Sequence, residues 1–344
     1  MASTNRFKAE QTRDYLRKRG FKPEFIIPYC YRPFDLRWVY WEPETKLLDE
    51  KRCDYVPTVA AGSLWLQSRQ KGERQAEGSP FFVTRAAADH HLTRPGCACF
   101  PLLATERNLL TDHKGEAANL THLAQSYAAN RGPADSVWFH ALAIGHSRRY
   151  LTENSGALWQ DWPRIPLPAS AAVLQASAAL GRQVASLLDI EQPVPGVNIS
   201  PIRSELRVIG VLTAASGQLD PGAGDLDLTA GWGHGGKGGV TMPGKGKAVA
   251  RPDHTAYDVY LNGKAFWSNI PSGVWEYTLG GYQVIKKWLS YREKALLGRG
   301  LTKEEARHVT DMARRIAALL LLGPALDANY ETVKREAAHF ANKK

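Results

Sequence analysis

Pro163, Pro166 and Pro168 divide the helical signal of this chain in two. Each proline disfavours helix at the residue before it, so Asp161-Trp-Pro-Arg-Ile-Pro-Leu-Pro168 has to run extended. Helical patterning stands on both sides. Before it, residues 119–159 offer Trp138, Leu142, Tyr150, Leu151 and Leu158 as core candidates; after it, a second helix is predicted near 170–188. Ahead of both, from Phe25, the pattern turns to β. Strands are predicted at Phe25-Ile-Ile, interrupted by Pro28 and Pro33, and at Leu36-Arg-Trp-Val-Tyr-Trp41. Two more are expected at Ser63-Leu-Trp-Leu66 and Phe81-Phe-Val-Thr84, separated by a basic loop from Arg69 to Gly78. Residues 5–20 predict a short basic helix ended by Gly20.

A second proline cluster, Pro193, Pro195 and Pro201, places a domain boundary near 190–200. Beyond it the pattern predicts a strand over Leu206–Leu212, a glycine-rich region over 215–249, and a hairpin. The hairpin joins Ala256–Leu261 to Lys264–Trp267 through Asn262-Gly263, a pair suited to both positive-φ positions of a type I′ turn. One helix is expected from Gly281 to Leu297. Another opens on the capping box Thr302-x-x-Glu305, with Leu301 as hydrophobic staple and Val309, Met312, Ala313, Ile316 and Leu320 on one face. A last helix is expected near 325–340. The organisation is then a basic N-terminal segment or linker at 1–24, a first part at 25–190 with strands before helices, and a second part at 200–344. The fold class is α+β, β-rich with helical supports and a helical C-terminus.

At 344 residues the chain can bury a substantial core. Forty-four Lys and Arg against 34 Asp and Glu leave a formal charge of +10, which favours a polyanionic partner. Cys30, Cys53, Cys97 and Cys99 are too few for a disulfide scaffold in so long a chain and fit a reducing, cytoplasmic setting. The apolar run Ile316–Leu322 is too short to span a membrane.

Several chemical motifs are approached and missed. No Pro-Pro pair and no Phe-x-Gly-x-Gly occurs, which argues against methyl transfer by this chain alone and leaves no cofactor to assign. Gly231-Trp-Gly-His-Gly-Gly236-Lys237-Gly238 resembles a P-loop, but Gly238 stands where a hydroxyl would hold magnesium. The same region carries Lys237, Lys245, Lys247 and Arg251 with no acid between Thr229 and Pro252. Two readings stay open for it: a flexible surface loop, or a loop whose glycines admit phosphate and whose cations neutralise it. A metal-dependent nuclease would use Asp35 with Glu44-Thr-Lys46 or Asp49-Glu-Lys51, although a solvated turn beside Pro43 fits the same residues. His90, His91, Cys97 and Cys99 could ligate zinc, but the Cys-x-Cys spacing is tight, and small core residues flanking Phe100 are the simpler expectation; no metal is assigned. Trp38, Trp138, Trp275 and Trp288 read as structural; Trp232, alone among glycines, reads as a contact to a base or sugar.

Tyr31-Arg-Pro-Phe-Asp-Leu-Arg-Trp-Val-Tyr40 opens a series of motifs: Leu64-Trp-Leu-Gln-Ser-Arg-Gln70, Phe82-Val-Thr-Arg85, Asp89-x-His91, Phe100-Pro-Leu102, Asp161–Pro168, Val274-Trp-Glu-Tyr and Gly280-Gly-Tyr-Gln-Val284. In content and order this series resembles the C-terminal specificity region of type ISP restriction-modification enzymes and related large adenine methyltransferases. The resemblance implies a target-recognition domain that binds double-stranded DNA in a sequence-specific way, with a methyltransferase domain or subunit as partner, in cis or in trans. It places Arg69, Lys71, Arg74 and Arg85 in segments near DNA. With local charge it makes Arg69, Arg74 and Lys264 candidate base readers and Lys237, Lys245, Lys247 and Arg251 candidate phosphate contacts. Tyr31, Arg32 and Asp35 are expected to form a buried hydrogen-bonded cluster, with Arg37 the alternative partner of Asp35. The competing classes are a protein-docking or inhibitory module that keeps this fold, and the nuclease above.

Overall fold

The basic segment at the N-terminus forms helix α1 (Ala9–Arg19), which stops at Gly20 with φ 85. In this computed structural model the structure describes residues 8–42, 62–72, 77–93, 96–107 and 114–338. The β-patterned stretch folds as β1 (Ile26–Arg32) and β2 (Asp35–Tyr40), antiparallel and joined by Pro33-Phe34. Then come β3 (Trp65–Arg69), β4 (Phe82–Thr84), β5 (Ala87–Ala88), β6 (Cys97–Pro101), β7 (Leu103–Arg107) and β8 (Lys114–Ala118). They make three small sheets, ordered β2-β1-β5, β4-β3-β6 and β7-β8. Pro28 sits inside β1, where the sequence pattern has an interruption. The parallel strand β5 pairs only with Tyr29 and Cys30, so no second neighbour needs the N–H that Pro28 lacks.

The helical supports are α2 (His122–Ala128), α3 (Ser136–Gly145), α4 (Arg148–Glu153), α5 (Ser155–Leu158) and α6 (Ala171–Leu188). The proline ladder between α5 and α6 is extended, and its carbonyls are taken by side chains. Tyr127 donates to Pro168 O at 2.6 Å, and His140 Nε2 donates to Pro166 O at 2.8 Å while its Nδ1 faces Ser177 Oγ at 2.8 Å. Helices α3 and α6 approach until a Cβ on Gly181 would lie 1.7 Å from Phe139 O.

The second part opens with α7 (Ser204–Arg207) and β9 (Val211–Ala214), not with a strand from Leu206. Leu206 and Ile209 are both buried while Val208 is exposed, a spacing that one helical turn satisfies and a strand does not. The glycine-rich region then gives β10 (Gly233–Gly235), β11 (Thr241–Pro243) and β12 (Ala248–Ala250), followed by β13 (Ala256–Tyr260) and β14 (Ala265–Pro271). The larger sheet is ordered β12-β13-β14-β9. The β13–β14 hairpin forms as expected, but neither Asn262 nor Gly263 takes positive φ, so its turn is not type I′. Asn262 closes it with its side chain instead. Its Oδ1 accepts from the N–H of Lys264 and Ala265, and its Nδ2 donates to the carbonyls of Asp225 and Asp227.

The C-terminal part holds α8 (Ser272–Trp275), the paired β15 (Thr278–Leu279) and β16 (Tyr282–Gln283), α9 (Val284–Ser290), α10 (Lys294–Leu297), α11 (Lys303–Leu321) and α12 (Gly323–Arg335). The expected single helix over 281–297 is therefore three elements. Glu293 takes ψ 133, which ends the helical path and sends its carboxylate back to the N–H of Trp232. The capping box at Thr302 and Glu305 is present, and Val309, Met312, Ala313 and Ile316 are buried. Leu320, expected on the same face, is 43% exposed, with its side chain beside Gly273. Trp38, expected in the core, is 73% exposed; it pairs with Pro28 beyond the reach of β5. One set of touching buried residues runs from Cys30 and Phe82 through Leu142 and Val184 to Trp267 and Leu326. Arg315 of α11, 2% exposed, donates to the carbonyls of Ser186, Leu187, Asp189 and Gln192 and so caps the end of α6.

Candidate nucleic-acid interface

The Tyr31–Tyr40 motif holds its charge inside the molecule. Pro33 fixes one turn position and Phe34 takes φ 61, its ring buried against Phe82 and its carbonyl accepting from His308 Nε2 at 2.8 Å. Asp35, fully buried, accepts from Arg37 at 2.8 and 3.1 Å and from Arg292 at 2.6 Å. Burial alone would raise its pKa; the two guanidiniums overcome that and hold it below the ordinary carboxylate value. Arg32 pairs with Asp89 at 2.9 Å rather than with Asp35.

The glycine-rich segment is built inward around Trp232. That residue was expected to contact a base or sugar, but it is fully buried. Its Nε1 donates to Tyr260 O at 2.8 Å, and its ring meets Trp275 edge-on at 5.3 Å. Gly246 with φ 66 crosses directly over the indole, where a Cβ would lie 2.0 Å from the ring. Gly246 thus makes room for a tryptophan, while Gly231, Gly235 and Gly239 have open space where a Cβ would stand. Burial pushes the Glu293 pKa up, and hydrogen bonds from the backbone of Trp232, Gly231 and Gly233 oppose the rise.

The cations of the segment remain outside. Lys237 and Lys245 are exposed and form no ion pair among the described residues. Lys247 is exposed, with its amine 4.0 Å from the Tyr260 ring centroid. Arg251 lies 3.9 Å from Asp258, and Lys264 is tied to Asp225 and Ala223 O although its side chain stays 64% exposed.

In the first part, Lys71 is exposed. Arg69 is buried, with its Nη2 in an ion pair with Glu77. Arg85 spans from Asp189 at 2.7 Å to Gly62 O at 3.1 Å and works as a tie between β4 and the end of α6. Arg74 lies outside the described residues, as do Glu44, Lys46, Asp49, Lys51 and Cys53. Beside the Arg69–Glu77 pair runs a cleft of about 460 Å³, lined by Arg148, Leu151, Trp159 and Thr278 among others. Nothing in the sequence pattern pointed to it, because its walls come from distant segments.

For a nuclease, Asp35 is committed to two arginines and is not free to ligate a metal. Among the described residues no group of three or more His, Cys, Asp or Glu is placed to hold a metal ion. Cys30, Cys97 and Cys99 take part in no disulfide among the described residues. No helix among the described residues is long and apolar enough to cross a membrane.

The described residues form an α+β scaffold in which Arg32, Arg69 and Arg292 are paired inside and Lys237, Lys245 and Lys247 are exposed. The chain belongs to the family described as the Type ISP C-terminal specificity domain, which matches residues 2–319. That family comprises specificity domains, not catalytic ones. No curated protein matches the chain. Solved structures that share its fold include the ATP-dependent Type ISP restriction-modification enzyme LlaBIII bound to DNA, with TM-score 0.60 and 14% identity over 94% of this chain and 20% of that one. A nuclease-deletion mutant of the Type ISP enzyme LlaGI with a DNA substrate mimic gives TM-score 0.56 and 18% identity over 94% and 26%. A DrdV–DNA complex gives 0.59 and 17% over 97% and 31%. The chain thus spans 20 to 31% of the length of these relatives.

Proposed function

We propose that this protein recognises double-stranded DNA in a sequence-specific way, as the specificity domain of a cytoplasmic restriction-modification or DNA methyltransferase system. Catalysis falls to a methyltransferase domain or subunit, joined in cis or recruited in trans. The observation that carries the reading is family membership across residues 2–319. The exposed cations Lys237, Lys245 and Lys247 support it. In this reading those lysines and Arg251 position the duplex through its phosphates, while other side chains read base edges in the major groove. A target adenine would be flipped into the partner's pocket.

Selection from a randomised duplex library across a salt series tests this. The expected result is a recovered motif whose affinity weakens as salt rises. Charge reversal of Lys237, Lys245, Lys247 and Arg251 together is expected to flatten the salt dependence by up to about 0.9 in slope per lost phosphate contact. An unchanged slope would remove this segment from the interface, and no binding even at low salt would overturn the reading itself.

A further inference from the structure

Two motifs from opposite ends of the chain close a ring of alternating cations and tyrosines. Lys287 Nζ lies 5.3 Å from the Tyr282 centroid and 4.8 Å from that of Tyr291. Arg37 stands over Tyr291 at 4.8 Å and Tyr31 at 4.1 Å, and Arg32 over Tyr31 at 4.1 Å and Tyr282 at 5.6 Å. Tyr31 and Tyr291 touch edge-on at 5.3 Å.

The ring is under-neutralised. Asp89 serves Arg32, while Asp35 is shared by Arg37 and Arg292, so four cations, counting Lys287, face two carboxylates. Glu305, the next acid near Arg292, is engaged by Arg299 at 2.6 Å. Lys287 forms no ion pair among the described residues, and burial followed by repulsion from Arg32 lowers its pKa. A half-buried ammonium beside guanidiniums, without an acid of its own, is stabilised by an anion from outside. The ring is open on that side: Lys287 is half-buried, and the Arg37 side chain is 36% exposed where Arg32 is 11%.

Its position indicates which anion. Lys287 lies in the last turn of α9, where Ser290 Oγ donates to Lys287 O at 2.8 Å. The β10–β11 hairpin is seated on the end of that turn, since a Cβ at Gly233 would lie 1.9 Å from Ser290 O. The exposed Lys237 stands in the connection between the two strands of that hairpin. We infer that Lys287 and Arg37, backed by Tyr31, Tyr282 and Tyr291, bind a phosphodiester of the DNA backbone, continuous with the lysines of the glycine-rich segment. This inference rests on the DNA reading above and assigns a contact to residues otherwise read as scaffold.

The test compares the full chain with Lys287→Gln and Lys287→Arg, binding one duplex across a salt series and an unrelated duplex in parallel. Lys287→Gln is expected to weaken both duplexes by the same factor and to make the salt slope shallower by about 0.9, while Lys287→Arg keeps the parent slope. Should Lys287→Gln melt early, Lys287→Met, which keeps the apolar stem, takes its place. Parent binding with a slope that neither neutral variant changes would overturn the site and leave the DNA reading standing. A parent chain that binds no duplex would overturn both. A loss confined to one duplex would show sequence reading rather than phosphate contact and would also overturn the inference.

Discussion

Removing one partner from a buried ion pair costs far more than the pair contributes, because the other charge is left without water or counter-charge. Asp35 is the sharpest case in this molecule, since both its oxygens are committed and the group is fully buried. Asp35→Ala is expected to destabilise the fold by about 3–5 kcal/mol, read as a lower urea midpoint at unchanged slope. A loss under about 1 kcal/mol would show that water reaches the site. The pKa of Asp35 is lowered in the fold, so its contribution is present above the unfolded carboxylate value and is lost as pH falls below about 4. The motif itself showed half of this arrangement. Arg37, two positions away on the same face of β2, was legible as the alternative partner of Asp35, after Arg32, which pairs with Asp89 instead. Arg292, 257 positions away, was not, because motif spacing relates only residues close along the chain.

Helix contacts depend on which residue stands at the crossing. Gly181 lets α6 rest on the backbone of α3, and a methyl group there would lie 1.7 Å from Phe139 O, so one helix has to move. Gly181→Ala is therefore expected to destabilise by about 1–3 kcal/mol despite the better helix propensity of alanine. Gly156, in α5, has nothing within 4 Å of its would-be Cβ, and Gly156→Ala is expected to be neutral or to stabilise by about 0.5–1 kcal/mol. Thermal melts of the two variants side by side check the pair; equal shifts would refute the packing argument. Helix α11 was readable because its apolar period and its cap at Thr302 are local, and α6 because helical patterning resumes directly after the proline ladder. The break after α9 was not readable, since it exists to bring Glu293 to Trp232, 61 positions away. Asn262-Gly263 gave a correct hairpin and a wrong turn for a related reason. The amide of Asn262 is bonded to Asp225 and Asp227, and that non-local brace outweighs the local preference for positive φ.

Beside its apolar core, the molecule is joined by the buried His140 and the half-buried His146 and His308. His140 links α3 to the proline ladder and α6, His146 lies between Ser79 and Leu142 O, and His308 of α11 holds the turn carbonyl of Phe34. Burial lowers all three pKa values, to about 4 for His140 and His146. The unfolded chain takes up protons on these rings near pH 6.5 while the native state does not, so acid favours unfolding. Each of His140 and His146 is expected to cost about 2 kcal/mol between pH 7.5 and pH 5, a window separate from the one below pH 4 where Asp35 is protonated. Urea midpoints across this range should fall steeply for the parent chain and less steeply for His140→Gln, whose amide can still donate to Pro166 O but takes no proton. Parallel curves would mean that His140 titrates normally and that water reaches the junction of α3, α6 and the ladder. Because these histidines tie segments that the sequence separates widely, a divergent pair of curves would locate the acid weakness at the joints between elements, not inside any one of them.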